Sequence, residues 1–398
     1  MHHRVRGAVL GTIAVLFVPR VAAAQEDPTG TASPTADAAP TAVPAASASP
    51  ETPMTISEPG FSWHPFGFLR LQYRVVRNDP NVAFVGRDDG FELQNARLGV
   101  HGALGRRVKY TFAIDGAVDE RQQINVPEGK LRVGLRDAYG DVAVSGSIAV
   151  RAGFFETLVD PDLDDDTQRE FVDRPIESRG VRATEGYQTP GLPPGRSLGA
   201  ALRLDPGPDM TGTDGPRIGF ELAVQNGADE YASNNDNDTP AASASVFVRL
   251  PKRSWVVASA RFNRRTDGEL PFRRDEDDLQ ASFGARVAAG PVGFGAGAVV
   301  VRTTFPSTGG PVENAYGAHA QILIRVEGRQ PLAFGYRFGI LDPSSLFLTD
   351  RVMEHTVGAV LGVPALHMRL QLQVTHVAEQ GARNLTNDRA QIAAELSL

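Results

Sequence analysis

The sequence predicts an all-β protein, a transmembrane antiparallel β-barrel of sixteen strands with short periplasmic turns, long extracellular loops and one inward constriction loop. Three observations predict it. From residue 61 onward, apolar and polar residues alternate with period two, which gives each extended segment two unlike faces. Many of these segments reach ten residues; a tilted strand needs about 9–11 residues to cross a bilayer, whereas a soluble strand averages about 5–6. The joints alternate between tight turns and long polar stretches, the arrangement of bacterial outer-membrane barrels.

The N-terminus reads as export machinery. Arg4 and Arg6 precede an apolar stretch from Ala8 to Val18, and Ala22-Ala23-Ala24 supplies small residues before Gln25. Residues 1–24 are therefore expected to be a cleaved signal peptide. Its loss removes Arg4, Arg6 and Arg20 and no acid, so the net charge moves from −7 by three to −10. Residues 25–59 are rich in Ala, Pro, Thr and Ser, a composition that buries no core and predicts a disordered periplasmic linker. The chain has no cysteine, which excludes disulfides, thiolate metal sites and lipid attachment through cysteine. No apolar run reaches the ~18 residues of a membrane-spanning helix.

Sixteen strands are expected near 66–77, 91–104, 107–118, 131–144, 147–155, 197–204, 216–226, 241–250, 254–264, 278–289, 291–303, 314–326, 331–341, 352–363, 365–377 and 389–398. The pattern is cleanest late in the chain. Leu366, Met368, Leu370, Leu372 and Val374 share one face, while His367, Arg369, Gln371, Gln373 and Thr375 share the other. Joints after even-numbered strands are tight: Gly105-Arg106, Ser145-Gly146, Pro251-Lys252-Arg253, Gly290, Gly328-Arg329-Gln330 and Pro364. Residues 205–215 are long where a short turn is due, which leaves a hairpin's uncertainty in the strand count there. Joints after odd-numbered strands are long, and 156–196 is the longest. A loop of that length is usually functional or disordered, and this one is expected to fold into the lumen. An even strand number leaves both termini on the short-turn rim. Ile392, Ala394, Leu396 and Leu398 alternate to the last position, as a barrel-closing strand would.

In lipid the apolar face points outward, so the polar face lines the lumen. That face carries Arg70, Arg74, Arg97, Lys109, Arg151, Arg203, Arg249, Arg261, Arg286, Arg325, Arg337 and Arg369, and Arg174 lies on the long loop. The acids read on the same faces are Asp115, Asp137, Asp141, Glu221 and Glu395; much of the remaining negative charge is assigned to loops, at Asp160 to Asp166 and Arg274 to Asp278. Guanidinium groups along a pore concentrate anions and match carboxylate and phosphate oxygens with paired donors. Two readings follow: an anion-preferring channel, or arginines that pair with lumen acids and stiffen the wall. A non-conducting, partner-binding barrel is the alternative at the level of the whole chain.

Other motifs carry less. Asp160-Pro-Asp-Leu-Asp-Asp165 begins like a calcium loop but lacks its sixth-position glycine, and Phe171 stands at the twelfth position. Gly293, Gly295 and Gly297 alternate on one face, which leaves room in the lumen or against a neighbour rather than cradling phosphate. His101, His319, His355, His367 and His376 lack ligand spacing. With no nucleophile elbow, zinc motif or nucleotide fingerprint, neither an enzyme, a cofactor, a metal nor a nucleic-acid partner is expected.

Several segments resemble the phosphate-selective porin O and P family. Gly90-Phe-Glu-Leu-Gln-Asn-Ala-Arg-Leu-Gly-Val-His-Gly102 is similar to its early strand. Arg136-Asp-Ala-Tyr139 and Ile148-Ala-Val-Arg-Ala-Gly-Phe-Phe155 resemble the segment leading into its long loop. Phe171-Val-Asp-Arg174 resembles an element of that loop, with Asp173 in place of glutamate, and Leu198-Gly199 and Val224-Gln-Asn-Gly227 resemble the following hairpin. The resemblance covers residues 61–240. It implies a sixteen-stranded homotrimer in the outer membrane of a Gram-negative bacterium, with lipid around it and small anions such as phosphate passing through an arginine ladder. The long loop here carries arginines and no lysine, and the chain ends in leucine where many such barrels end in an aromatic residue.

Overall fold

The computed structural model describes residues 60–398 except 88, 117–132, 146, 165–166, 168, 183, 205–216, 229–233, 252–253, 268–272, 307–308, 348–349 and 381–383. The expected signal peptide and linker lie outside the described residues, as does the anomalous joint near 205–215. The strands are β1 (Phe61–Val76), β2 (Gly90–Leu104), β3 (Val108–Asp115), β4 (Gly134–Ser145), β5 (Ile148–Phe155), β6 (Ser197–Leu204), β7 (Arg217–Gln225) and β8 (Ala241–Leu250). They continue as β9 (Ser254–Asp267), β10 (Arg274–Ala289), β11 (Val292–Thr304), β12 (Glu313–Val326), β13 (Leu332–Asp342), β14 (Val352–Val363), β15 (Met368–Glu379) and β16 (Arg389–Ser397). One short helix, α1 (Ile176–Arg179), lies in the loop between β5 and β6.

Each strand pairs antiparallel with its sequence neighbours, and β1 pairs with β16 to close the barrel. Closure removes the sheet edges that lipid cannot satisfy. The side chains are sorted inside-out. On β1, Leu69, Leu71, Tyr73 and Val75 are exposed, whereas Arg70, Gln72 and Arg74 are at most 3% exposed. Apolar groups outside and polar groups inside suit a sheet whose outer solvent is hydrocarbon. Outward aromatics gather at both ends of the wall. The Phe61 and Tyr110 rings stack at 6.3 Å near the short-turn rim, and Tyr73 meets Phe91 edge-on at 4.9 Å near the long-loop rim; such girdles mark membrane interfaces.

Several strand boundaries differ from the sequence reading, and three of them bear on the site. β1 starts at Phe61 rather than 66. β10 starts at Arg274, so the charged run Arg274–Asp278 belongs to a strand and not to a loop. Residues Pro364–Leu366 form a 3₁₀ turn, closed by His367 at φ 50°, and β15 begins only at Met368. Two bulges re-aim side chains. Gln94 is the extra residue of β2 opposite Arg70 and Leu71, and it points inward, where its amide donates to the Val172 carbonyl at 3.2 Å. A second, in β4, inserts Arg136 between Leu135 and Asp137. The tight turn between β10 and β11 has Gly290 at φ 61°, a left-handed conformation that glycine adopts without steric cost.

Candidate solute pathway and its inward loop

The loop of residues 156–196 enters the lumen and is held there by the wall. Phe171, Asp173, Ile176, Glu177 and Arg179 are at most 2% exposed, a degree of burial that a solvated external loop would not reach. Its first arm crosses β7 and β9: Glu221 accepts from the Leu158 amide at 3.0 Å and Ser259 donates to the Leu158 carbonyl at 2.6 Å. Pro161 then lies against Gly284 and Gly297, where a side chain would collide with it. Phe171 packs over Gly335 and Gly358, and Ile176 over Gly339. These inward glycines of β10–β14 make room for the loop. Gly293 and Gly295 instead leave space for Arg325 and Gln321 of the neighbouring strand. After α1 the chain turns at Gly180, whose φ of 73° and close approach to the Thr189 carbonyl oxygen both require glycine.

Charge fixes the loop's middle. Asp173 accepts from Gln373 at 3.0 Å, from Gln391 at 3.1 Å and from Arg389 at 3.4 Å. Arg179 spans from Glu185 at 2.8 Å to Glu354 at 2.6 Å, and Arg389 reaches Glu354 at 2.9 Å. Arg74 contacts both Glu92 and Glu185, and Glu177 contacts His319. Burial alone would raise the Asp173 carboxyl, but Arg179, Arg389 and Arg182 outweigh it and hold it well below the usual carboxylate range. The same balance of burial against Arg179, Arg389 and Arg182 lowers Glu185 to about 2. A carboxyl held low in the folded chain stabilises that state above its ordinary pKa and loses the contribution only as pH falls through the lowered value. Hydrogen exchange of the 171–185 amides is therefore expected to stay slow from pH 7 to about pH 3 and to accelerate only below that. Release of these amides near pH 5 would contradict the assignment.

Every basic candidate on the wall faces inward, and most meet carboxylates. Arg70 and Arg369 share Glu395, each with its Nε at 2.9 Å. Arg97 reaches Asp115 at 3.3 Å and lies over the Phe68 ring. Arg151 forms two 2.8 Å bonds to Asp141 and stacks on Tyr139 at 3.7 Å. Arg203 meets Glu221 at 2.9 Å. Arg286 meets Asp164 at 2.5 Å and Glu170 at 2.9 Å, and Arg325 also reaches Glu170, at 3.1 Å. Arg174 pairs with Asp160 and Asp162, so part of this acidic run serves arginines. Arg337 donates to the carbonyls of Asp173 and Arg174 at 3.0 and 3.2 Å. Arg249 lies over Phe247 at 5.3 Å. Lys109 is exposed near the start of β3. Arg261 is half-buried in mid-strand between Ser243 and Gln280, with no carboxylate at ion-pair distance among the described residues.

The sequence reading missed several inward charges: Arg389 and the acids Glu92, Glu276, Asp278 and Glu354. Strand parity carries the signal for Glu354, which shares its face with Thr356, Gly358 and Val360. These additions make the wall far more balanced in sign than the twelve basic candidates alone imply.

A closed sixteen-stranded barrel with an apolar exterior and a polar lumen entered by a long loop is an outer-membrane porin. Residues 68–244 match the family described as phosphate-selective porin O and P. The barrel is similar in fold to the outer membrane channel DcaP of Acinetobacter baumannii (TM-score 0.59, 12% identity, covering 86% of this chain and 99% of that one). It is also similar to OmpT of Vibrio cholerae in its trimer form (TM-score 0.57, 11% identity, covering 85% and 100%). No curated protein matches the chain by sequence. Family and fold together indicate a channel of the Gram-negative outer membrane rather than an enzyme.

Proposed function

We propose that the channel passes small anionic solutes by passive diffusion, phosphate among them. The observation that carries this is Arg261. It lies in mid-strand with Ser243 and Gln280 as its cross-strand neighbours and makes no ion pair among the described residues, which supports a guanidinium able to donate to a passing anion. Lys109 adds an exposed cation near the short-turn mouth. The ion-paired arginines support the wall, and the pathway's preference rests on the less compensated cations. In a planar bilayer under a potassium chloride gradient, the reversal potential is expected on the chloride side. Arg261→Gln should move it towards the unselective value, and added phosphate should reduce the chloride current of the parent more than that of the variant. A potassium-side reversal potential would refute the anion reading.

One observation favours a second reading. The loop's ion pairs run from β1 and β2 round to β10, β12, β14 and β16, the construction of a plug. A barrel closed in this way would show no conductance from folded protein. We further propose that residues 1–24 are cleaved on export, that 25–59 form a periplasmic linker, and that the chain assembles as a trimer, as the OmpT form does. The N-terminal sequence and mass of the purified complex test all three.

A further inference from the structure

Two histidines far apart in the chain meet on the outer wall. His355 of β14 lies directly across from His376 of β15, and their rings stack at 6.3 Å with 29° between the planes. Both point outward, since Glu354, Thr356 and Thr375 beside them are at most 3% exposed on the inner face. Each stands three residues inside the long-loop end of its strand, Val352 for β14 and Glu379 for β15. Tyr336 and Phe338, outward rings of β13, lie 6.3 and 5.2 Å from the His355 ring. Such aromatic residues mark the interface, where water reaches the outer face of a barrel, and the His376 side chain is 66% exposed.

Each ring is held at its inner nitrogen. His355 Nδ1 is 2.8 Å from the Tyr336 hydroxyl, and His376 Nδ1 is 2.7 Å from the Asp388 carboxylate. Asp388 is fixed in turn by the Val377 amide at 3.0 Å and lies 3.9 Å from Arg77. A ring that donates its Nδ1–H to such an oxygen presents the lone pair of Nε2 outward, and metal-ligating imidazoles carry an outer partner of this kind. Neither Nε2 has a hydrogen-bond partner among the described residues. Directly opposed residues on antiparallel strands have Cβ atoms about 4.5–5.5 Å apart, so side-chain rotation can bring both Nε2 atoms to about 2.0–2.1 Å from one ion. His64 and His101 are also opposed, with rings at 5.4 Å, but they face the lumen. There the Phe66 ring packs on His101 at 5.5 Å, no carboxylate or hydroxyl orients His64 among the described residues, and the Lys109 cation stands on the next strand.

We propose that His355 and His376 bind one divalent transition-metal ion, Zn2+, Ni2+ or Cu2+, through their Nε2 atoms on the outer rim of the barrel. Imidazole suits these ions, whereas Mg2+ and Ca2+ prefer oxygen donors. No set of three His, Cys, Asp or Glu side chains that could hold a metal occurs among the described residues. The site therefore supplies two protein ligands, and water completes the coordination. Sequence spacing predicts no metal here because the two histidines are 21 positions apart; the strand register supplies their proximity. The proposal is independent of what passes through the lumen.

The test titrates Cu2+, which nitrogen sites hold most tightly of the three, into the untagged chain purified from the outer membrane in detergent. One ion should bind per chain, its electron paramagnetic resonance spectrum should show two nitrogen donors, and excess Mg2+ or Ca2+ should not displace it. His355→Ala and His376→Ala should each remove one nitrogen from the spectrum and weaken binding by about 100-fold, more than the loss of an outer partner costs. Asp388→Asn keeps an oxygen for the His376 ring without the charge and should weaken binding by about tenfold. His64→Ala should leave binding unchanged. Both histidines point out of the barrel, and His355→Gln and His376→Gln cover the case in which an alanine variant fails to fold. A spectrum with one nitrogen donor, binding that survives in the double variant, or binding lost on His64→Ala would place the ion elsewhere and overturn the proposal. Affinity no greater than that of free imidazole would overturn it as well.

Discussion

Replacing Asp173 with alanine is expected to release the middle of the inward loop and raise single-channel conductance severalfold. The carboxylate is fully buried and binds two wall amides and one wall guanidinium, on β15 and β16. Around it five guanidinium groups, Arg74, Arg179, Arg182, Arg337 and Arg389, already face only four carboxylates, Asp173, Glu185, Glu354 and Glu92. Removing one partner of a buried ion pair costs about 3–5 kcal/mol because the remaining charge is left uncompensated. Here the excess guanidinium charge is relieved when the loop departs with Arg179 and Arg182 and water enters. The sixteen-strand ladder does not include Asp173, so the barrel's resistance to heat and detergent should change little. Asp173→Asn keeps hydrogen-bonding capacity towards Gln373 and Gln391 without the charge and should fall between. Unchanged conductance from folded Asp173→Ala would show that the loop is held elsewhere.

How much of this was legible in the sequence depends on which solvent each segment meets. Where a strand faces lipid, the two-residue period is enforced by hydrocarbon, and all sixteen strands could be read. Where it does not, the period fades. The start of β1, Phe61 to Phe68, has aromatic residues on both faces, which hid five residues of strand. Arg274 to Asp278 of β10 are charged on both faces, so strand pairing there leaves no hydropathy trace. Proline removes the amide that would extend a ladder, and Pro364 accordingly starts a turn that the alternation at Leu366 obscured. The loop's inward course was readable from its length, but its partners were not. Asp173 meets residues 200 and 218 positions away, a relation set by barrel closure that no local pattern carries. The pairing of the arginines lay between these extremes: Asp141 opposite Arg151 and Glu395 opposite Arg369 follow once register is known, whereas the loop acids on Arg286 and Arg325 required the fold.

Gly284→Val is expected to displace the loop's first arm and shift the reversal potential further towards chloride. Gly284 faces the lumen from the middle of β10, and a Cβ built there would lie 2.2 Å from the Pro161 carbonyl oxygen. Its backbone is not in a left-handed conformation, and β-branched residues suit strands. The wall can therefore accept valine, and the loop must yield. Pro161 also lies against the inward face of β11 at Gly297, where a Cβ would stand 3.0 Å from the Pro161 Cβ. The arm has to lift into the lumen, away from Leu158's bonds to Glu221 and Ser259. Arg286, two residues further along the same inward face, then loses Asp164, which lies three residues beyond Pro161. Arg286 is then left to share Glu170 with Arg325, and a guanidinium so partly compensated in a narrow, weakly screened lumen attracts anions more than a fully paired one does. Gly284→Ala should act in the same direction with a smaller effect, because a methyl collides with Pro161 without valine's further carbons. Lifting should also leave the Asp173 anchor in place, so hydrogen exchange ought to accelerate at 158–164 and stay slow at 171–185. If both segments exchanged together, the loop would be one rigid body rather than two arms with separate attachments. If neither did and the reversal potential held, Pro161 would be absorbing the valine without leaving the wall, and Arg286 would remain neutralised.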